Sequence, residues 1–203
     1  MSTTDLPLLE AYEELADEAT RNDSSTILER ARALRDDSSD TPEIHNELLE
    51  TALRDLCLEL IPSLEINSND FQQVWTLIDN TNALADEGLV SSTAAFALIE
   101  DLCDSQTSQG CKVVFDYLEA RRVSMLKKNL MSKKNVCLRF CNDLLRRLSR
   151  AEDAAFCGRV FIFMFLGFPL HDKSSVNLRG DFHTENVTTY DEIAPNQGDD
   201  SME

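Results

Sequence analysis

Residues 41–62 read TPEIHNELLETALRDLCLELIP, and the spacing of their apolar side chains decides the fold class. Ile44, Leu48, Leu49, Ala52, Leu56, Leu60 and Ile61 recur at intervals of three and four, the period of one helical face rather than the alternation of a strand. Thr41 stands as N-cap, and Pro42 takes the first helical position, where its missing N–H has no partner to lose. Glu43 complements the positive end of the helix. Pro62 is the expected stop, because its ring and absent donor oppose continuation.

The same period recurs on both sides of this stretch. Downstream, Ser68 precedes a helix that sets Phe71, Val74, Trp75 and Ile78 on a buried stripe and fades near Leu84, ahead of Gly88. Ser91 or Ser92 caps a third, with Ala95, Leu98, Ile99 and Leu102 inward, and DSQTSQG at 104–110 separates it from a fourth carrying Val114, Phe115 and Leu118. Residues 129–153 read as one long amphipathic helix or two abutting ones. Their apolar face is Val136, Cys137, Phe140, Cys141, Leu144, Leu145 and Leu148; Arg139, Arg146, Arg147 and Arg150 take the other side. Upstream, Leu6, Leu9, Leu15, Ile27 and Leu34 predict shorter, weaker helices broken by Ser- and Asp-rich turns at 22–25 and 36–40.

The expected fold is therefore all-α, a multi-helix antiparallel bundle or array ending in a disordered acidic tail. Three regions are expected: a weakly helical acidic segment at 1–40, a helical domain at 41–190, and the tail at 191–203, where the closing YDEIAPNQGDDSME has no apolar face.

One stretch tests that reading. CGRVFIFMFLGFPLHDK, residues 157–173, contains no charged or amide side chain from Val160 to Leu170. A membrane-spanning helix needs about 20 mostly apolar residues, and runs of roughly 10–14 belong more often to buried core helices. Arg159 precedes this run and His171, Asp172 and Lys173 follow it, so lengthening it would place charge in hydrocarbon. A core helix is the expectation. Being apolar all round, it needs cover on nearly every side, from the other helices or from another chain. Phe161, Phe163, Phe165 and Phe168 are the candidate contact residues.

With 203 residues and 42% apolar content, the chain can bury a substantial core without disulfides or a structural metal. Its start, MSTTDLPLLEAYEELADEA, is not that of a signal peptide, which implies a reducing compartment. Cys57, Cys103, Cys111, Cys137, Cys141 and Cys157 form no C-x-x-C pair and are read as buried thiols. Charge is strongly segregated. Residues 1–110 hold 5 Lys/Arg against 24 Asp/Glu, residues 111–160 hold 12 against 5, and residues 161–203 hold 2 against 8. An acidic first half repels nucleic acid and anionic lipid, leaving only the basic middle able to attract a polyanion.

No hydrolase, metalloprotease, P-loop or dinucleotide signature is present. His45, His171 and His183 are far apart in sequence and lie in polar surroundings. Cys137 and Cys141 are one turn apart, but zinc would need two further ligands, and none stands at a familiar spacing. The expectation is a protein that is not an enzyme and takes no cofactor or metal. Arg121, Arg122, Lys127, Lys128, Lys133 and Lys134 form three basic doublets ahead of Arg139, Arg146, Arg147 and Arg150. They can bind phosphate backbones, pair with the acidic helices of this chain, or meet an acidic partner, and the doublets are weakly like a nuclear-import signal.

ALIEDLCDSQTSQGCKVVFDYLE (97–119), CNDLLRRLSR (141–150) and FCGRVFIFMFLGFPLHDKSSVNLRGDFHTENVTTYDE (156–192) closely resemble, in order and spacing, the THO complex subunit 1 (Hpr1-like) family. The resemblance covers roughly residues 45–192 and corresponds to the N-terminal portion of the family, whose members are much longer and in animals end in a death domain. It implies a nuclear, largely helical, non-enzymatic scaffold subunit of the THO complex. That complex joins an RNA helicase and an mRNA export adaptor, couples transcription elongation to mRNA processing, transport and export, and limits RNA–DNA hybrids. The implied close partner is the largest THO subunit. The expected function is thus a scaffold contacting other THO subunits through Arg139, Arg146, Arg147 and Arg150 and through Phe161, Phe163, Phe165 and Phe168. The alternative is a nucleic-acid-binding module working through residues 121–150.

Overall fold

The period at 41–62 produces α3 (Pro42–Ser63) in a computed structural model of the chain that describes residues 5–37 and 41–168. Before it come α1 (Asp5–Glu18) and α2 (Ser24–Asp36). After it follow a short 3-10 turn at Asn69–Phe71, α4 (Gln72–Asp86), α5 (Ala94–Ser105), α6 (Ser108–Lys127), α7 (Leu130–Arg147) and α8 (Ala154–Gly167). The described residues contain no strand, so the all-α expectation holds. Met1–Gly167 form one compact unit; of the second, Phe168–Glu203, only Phe168 is among the described residues, and the acidic tail expected at 191–203 lies outside them.

Consecutive helices are antiparallel, and helices two apart run parallel, as the ties between them show. In one layer, α3 meets α5 through Arg54 and Asp101 (2.7 Å), while α5 meets α7 through Glu100 with Arg139 (2.6 Å) and Cys103 with Arg147 (2.8 Å). In the other, α2 meets α4 through Ser24 and Asn80 (2.6 Å) and through Arg32 and Glu87 (2.8 Å). There too α4 meets α6 through Asp79 and Arg121 (2.6 Å), and α6 meets α8 through Glu119 and Arg159 (2.6 Å). The result is four helical hairpins stacked side by side, with α1, α3, α5 and α7 in one layer and α2, α4, α6 and α8 in the other. Each hairpin covers the apolar side of the one before it, which is how stacked helix pairs bury a continuous core.

Phe71, Leu77, Ile78, Phe96, Ile99, Phe115 and Leu118 lie fully buried between the layers. A buried polar group holds the first turn. Asn80 donates to the carbonyls of Ala19 (2.8 Å) and Asn22 (3.0 Å) and accepts from Ser24, satisfying backbone left open where α1 ends and α2 begins. This tie and the burial of Tyr12, Leu15, Ala16, Ile27 and Ala31 pack α1 and α2 against the rest of the array, and such tertiary packing, not propensity, carries most helical stability.

Several boundaries and faces differ from the sequence reading. Helix α3 buries His45, Leu49, Ala52, Leu53, Cys57 and Ile61, while Ile44 and Leu58 are exposed, so its inner face is rotated by one residue from the predicted stripe. That rotation places His45 in the core, hydrogen-bonded through Nδ1 to the Tyr12 hydroxyl (2.6 Å), and not in polar surroundings. Pro62 sits inside the last turn of α3 without ending it earlier, and Thr41 has the extended backbone of an N-cap but no side-chain cap bond. The cap of α5 is Thr93, not Ser91 or Ser92; Ser91 Oγ accepts from the Thr93 N–H (3.3 Å). DSQTSQG is not wholly a linker, since Thr107 accepts from Gly110 N (3.4 Å) and α6 begins at Ser108. The amphipathic stretch at 129–153 is one helix that stops at Arg147, where Leu148 turns extended. All six cysteines are free and buried. Burial and the nearby Asp101 carboxylate push the Cys57 thiol up to about 12.

Candidate functional site

The basic segment is largely spoken for within the molecule. Arg121 grips Asp79 with two bonds (2.6 and 2.8 Å) and lies 4.0 Å over the Tyr117 ring, which itself stacks on Trp75 at 4.4 Å. The Tyr117 hydroxyl donates to the same Asp79 (2.8 Å), and burial together with that carboxylate raises its pKa well above the ordinary value, so it stays a donor. Lys128 reaches Glu87, and Lys112 pairs with Asp153 (3.2 Å). Lys133, one of the doublet lysines, is fully buried: its Nζ donates to the Met125 carbonyl (2.9 Å) and to Asn82 and Asp86 (3.3 Å each).

The four candidate arginines divide. Arg139 clamps Glu100 on α5 with two bonds (2.9 and 2.6 Å). Arg147 donates to the carbonyls of Cys103 and Gln106, both at 2.8 Å, closing the C-terminal end of α5 where carbonyls lack intrahelical partners. Arg146 pairs only with Asp143 on its own helix and projects outward, and Arg150 stands in the α7–α8 turn without a partner among the described residues. Of the twelve cations between 111 and 160, Arg122, Lys127 and Arg150 alone carry no interaction among the described residues.

The phenylalanines divide as sharply. Phe163 is buried, edge-on to Phe115 of α6 at 5.4 Å, and Phe156 meets the same ring edge-on at 5.3 Å. Phe168 is also buried. Phe161 and Phe165 face outward together with Ile162 and Leu166, each 52–57% exposed. Of the two kinds of cover the sequence left open, the other described helices supply only part, since α8 buries Phe156, Cys157, Val160 and Phe163. No helix among the described residues is long and apolar enough to cross a membrane. The eight candidates therefore do not converge on one surface. Phe161 and Phe165 share an exposed face with Ile162 and Leu166, two residues the sequence reading missed because every position of α8 after Arg159 is apolar and its period marks no face.

The family model for THO complex subunit 1 transcription elongation factor matches residues 74–203. The chain is similar to THO complex subunit 1 of Arabidopsis thaliana, at 36% identity over 74% of this chain and 28% of that protein. It is similar to the THO complex subunit 1 proteins of Homo sapiens and Mus musculus at 35% and 34% identity, over 75% of this chain and 23% of each relative. The chain thus spans about a quarter of the length of the curated relatives it matches. No solved structure matches the chain significantly.

Proposed function

The chain belongs to the THO complex subunit 1 family, and from that premise we propose that it acts as a non-enzymatic scaffold subunit of the THO complex in the nucleus. Its work there is in transcription elongation and in the processing and export of mRNA. The observation that carries this reading is the match over three-quarters of the chain to proteins bearing that name. Support comes from the architecture: a stacked-hairpin array offers extended side surfaces and an open end for assembly. Here that end carries the apolar outer face of α8. The partners proposed are the other THO subunits, the largest foremost, and through them an RNA helicase and an mRNA export adaptor. Among the eight candidate contacts, Phe161, Phe165, Arg146 and Arg150 are open to a partner; Arg139, Arg147 and Phe163 hold the fold.

The nucleic-acid alternative at 121–150 is not favoured. Lys133 is buried, and Arg121, Lys128, Arg139 and Arg147 are bound to carboxylates or carbonyls of the same chain, so phosphate contacts would have to replace existing pairs. Co-expression with the largest THO subunit, followed by gel filtration at moderate and high salt, tests the scaffold reading. Co-elution that persists in high salt is the expected result. A chain that elutes alone at both salts overturns it.

A further inference from the structure

Two of the arginine pairs in the basic middle stand two and three residues ahead of a serine, as Arg121-Arg122-Val123-Ser124 and Arg146-Arg147-Leu148-Ser149. Arginines at those two places are what arginine-directed serine kinases read, through carboxylates that pair with the guanidinium groups. The two tetrapeptides are equivalent as sequence, and the fold treats them in opposite ways. Ser124 lies inside α6, three residues before its end, and its hydroxyl donates back to the Arg121 carbonyl (2.8 Å). Arg121, the residue three ahead of it, is held by two bonds to Asp79 and lies over the Tyr117 ring. Met125 and Leu126, which follow, are buried, and the Met125 carbonyl accepts from the buried Lys133. Phosphoryl transfer needs the acceptor oxygen in line with the γ-phosphate inside an enclosed cleft. A single extended strand enters such a cleft, whereas a helix about 10–12 Å across does not. Ser124 is therefore an acceptor only if the end of α6 unwinds and those ties break.

Ser149 stands exposed in the α7–α8 turn, outside any helix. Leu148 before it is already extended (φ −88°, ψ 141°) and buried. Successive side chains of an extended segment point to opposite sides, so Leu148 anchors the turn inward while Ser149 faces out. Few bonds hold the serine. Its Oγ accepts from the Glu152 N–H and its N–H donates to Asp153 Oδ2, both at 3.3 Å, and its carbonyl accepts from the Asp153 N–H (2.8 Å). Arg146, three residues ahead, keeps 77% of its side chain exposed and pairs only with Asp143 of its own helix, a surface pair that contributes little. Arg147 is bound to the Cys103 and Gln106 carbonyls, so recognition falls mainly on Arg146.

We propose that Ser149 is a phosphorylation site for an arginine-directed serine kinase that reads Arg146, and that folding withholds the otherwise equivalent Ser124. In the step, Ser149 Oγ attacks the γ-phosphorus of ATP. The Oγ–P bond forms as the bond from that phosphorus to the bridging oxygen breaks, ADP leaves, and the hydroxyl proton passes to a carboxylate base of the kinase. The phosphoserine carries a charge of about −1.5 to −2 at pH 7 and three strong acceptor oxygens. It lies next to Arg150 and three residues from Arg146, the two candidate arginines that the fold leaves open. Its charge offsets theirs, which changes what this turn offers a partner from a basic surface to a nearly neutral one.

The test uses the folded 203-residue chain and two peptides, 117–128 and 142–153, with the catalytic subunit of cAMP-dependent protein kinase and Mg-ATP as the probe; mass spectrometry locates the phosphate and follows its incorporation. Both peptides are expected to accept phosphate. In the folded chain Ser149 should be modified at least tenfold faster than Ser124. Ser149→Ala should abolish the fast incorporation, and Arg146→Gln should slow it at least tenfold with unchanged circular dichroism. A folded chain in which Ser149 stays unmodified, or in which Ser124 reacts as fast, overturns the proposal. So does failure of either peptide to take phosphate, because the fold would then not be what separates the two serines. An Arg146→Gln chain modified at the original rate overturns it as well, since the kinase would not be reading that arginine. Capture by the largest THO subunit is independent of these outcomes, so the scaffold reading can stand where the phosphorylation site falls.

Discussion

Replacing Lys133 by methionine separates the structural role of the basic segment from a phosphate-binding one. The Nζ of Lys133 is within 2.9 Å of the Met125 carbonyl and 3.3 Å of the Asn82 and Asp86 side-chain oxygens, and its side chain is 1% exposed. Breaking a buried pair by removing one partner costs about 3–5 kcal/mol, because the remaining charge is left without compensation. Two features pull Lys133 toward the lower end. Asp86 keeps 19% of its side chain in water, and both 3.3 Å contacts are longer than an ideal charge-assisted bond. Methionine keeps the aliphatic stem, so no large cavity adds to the loss. The expected cost of Lys133→Met is about 3 kcal/mol, equivalent to a fall in melting temperature of roughly 6–12 °C for a chain of this size. Urea unfolding followed by circular dichroism measures it, and hydrogen exchange should show α7 opening first, since Lys133 ties that helix to α4 and to the end of α6. RNA affinity at low salt should not respond. A loss below about 1 kcal/mol would refute the burial argument, and an intact fold with tenfold weaker RNA binding would return the lysine to the surface role that the sequence suggests.

Other substitutions probe the remaining ties. Asn80→Ala orphans the Ala19 and Asn22 carbonyls and should cost about 2–4 kcal/mol, with exchange accelerating first in α1 and α2; uniform acceleration along the chain would contradict that placement. Phe163→Ala should lose about 3–5 kcal/mol by opening a cavity beside Phe115, whereas Phe165→Ala should stay within about 0.5 kcal/mol. Equal costs in thermal melts would mean that α8 is covered on both sides. The Cys57 thiol, raised to about 12, binds its proton more tightly folded than unfolded; its contribution is complete below the unfolded value near 9 and is lost as pH rises toward 12. Cys57→Val should therefore flatten the alkaline limb of the stability curve by about 1.4 kcal/mol per pH unit across that window. Parallel limbs for the two proteins would show that this thiol ionises without unfolding.

How far the sequence reveals the fold depends on the contrast between a helix's faces. From Phe71 into α4, polar residues separate Phe71, Val74 and Ile78, so three of the four positions read as the inner stripe are buried, while the fourth, Trp75, is half-buried and Leu77 takes a buried place that the stripe omits. Apolar residues on α3 cover more than one face: Ile44, Leu48 and Leu58 compete with Leu49, Leu53 and Cys57. Which set turns inward is settled by the neighbours, and α1 selects the one containing His45 by offering the Tyr12 hydroxyl. In α8 the contrast vanishes after Arg159, and only the position of α6 separates buried Phe163 from exposed Phe161 and Phe165. The arginines fail for a related reason. A helical wheel places Arg139 and Arg147 on the polar side, but not within reach of Glu100 or of the last carbonyls of α5.

Local chemistry by itself determined that this chain is all-α, where most helices lie, that its cysteines are buried thiols, and, through three distinctive blocks of residues, which family it belongs to. These follow from interactions within a few residues of one another, from period, capping and side-chain character, and these are written in order along the chain. Tertiary structure alone decided which cations are committed, which histidine and lysine enter the core, and which side of α8 stays open. Each of those depends on partners some 30 to 60 residues away, such as Tyr12 for His45, Asp86 for Lys133 and Phe115 for Phe163. A side chain's environment is set by the helices stacked against it, and stacking joins residues that periodicity cannot pair.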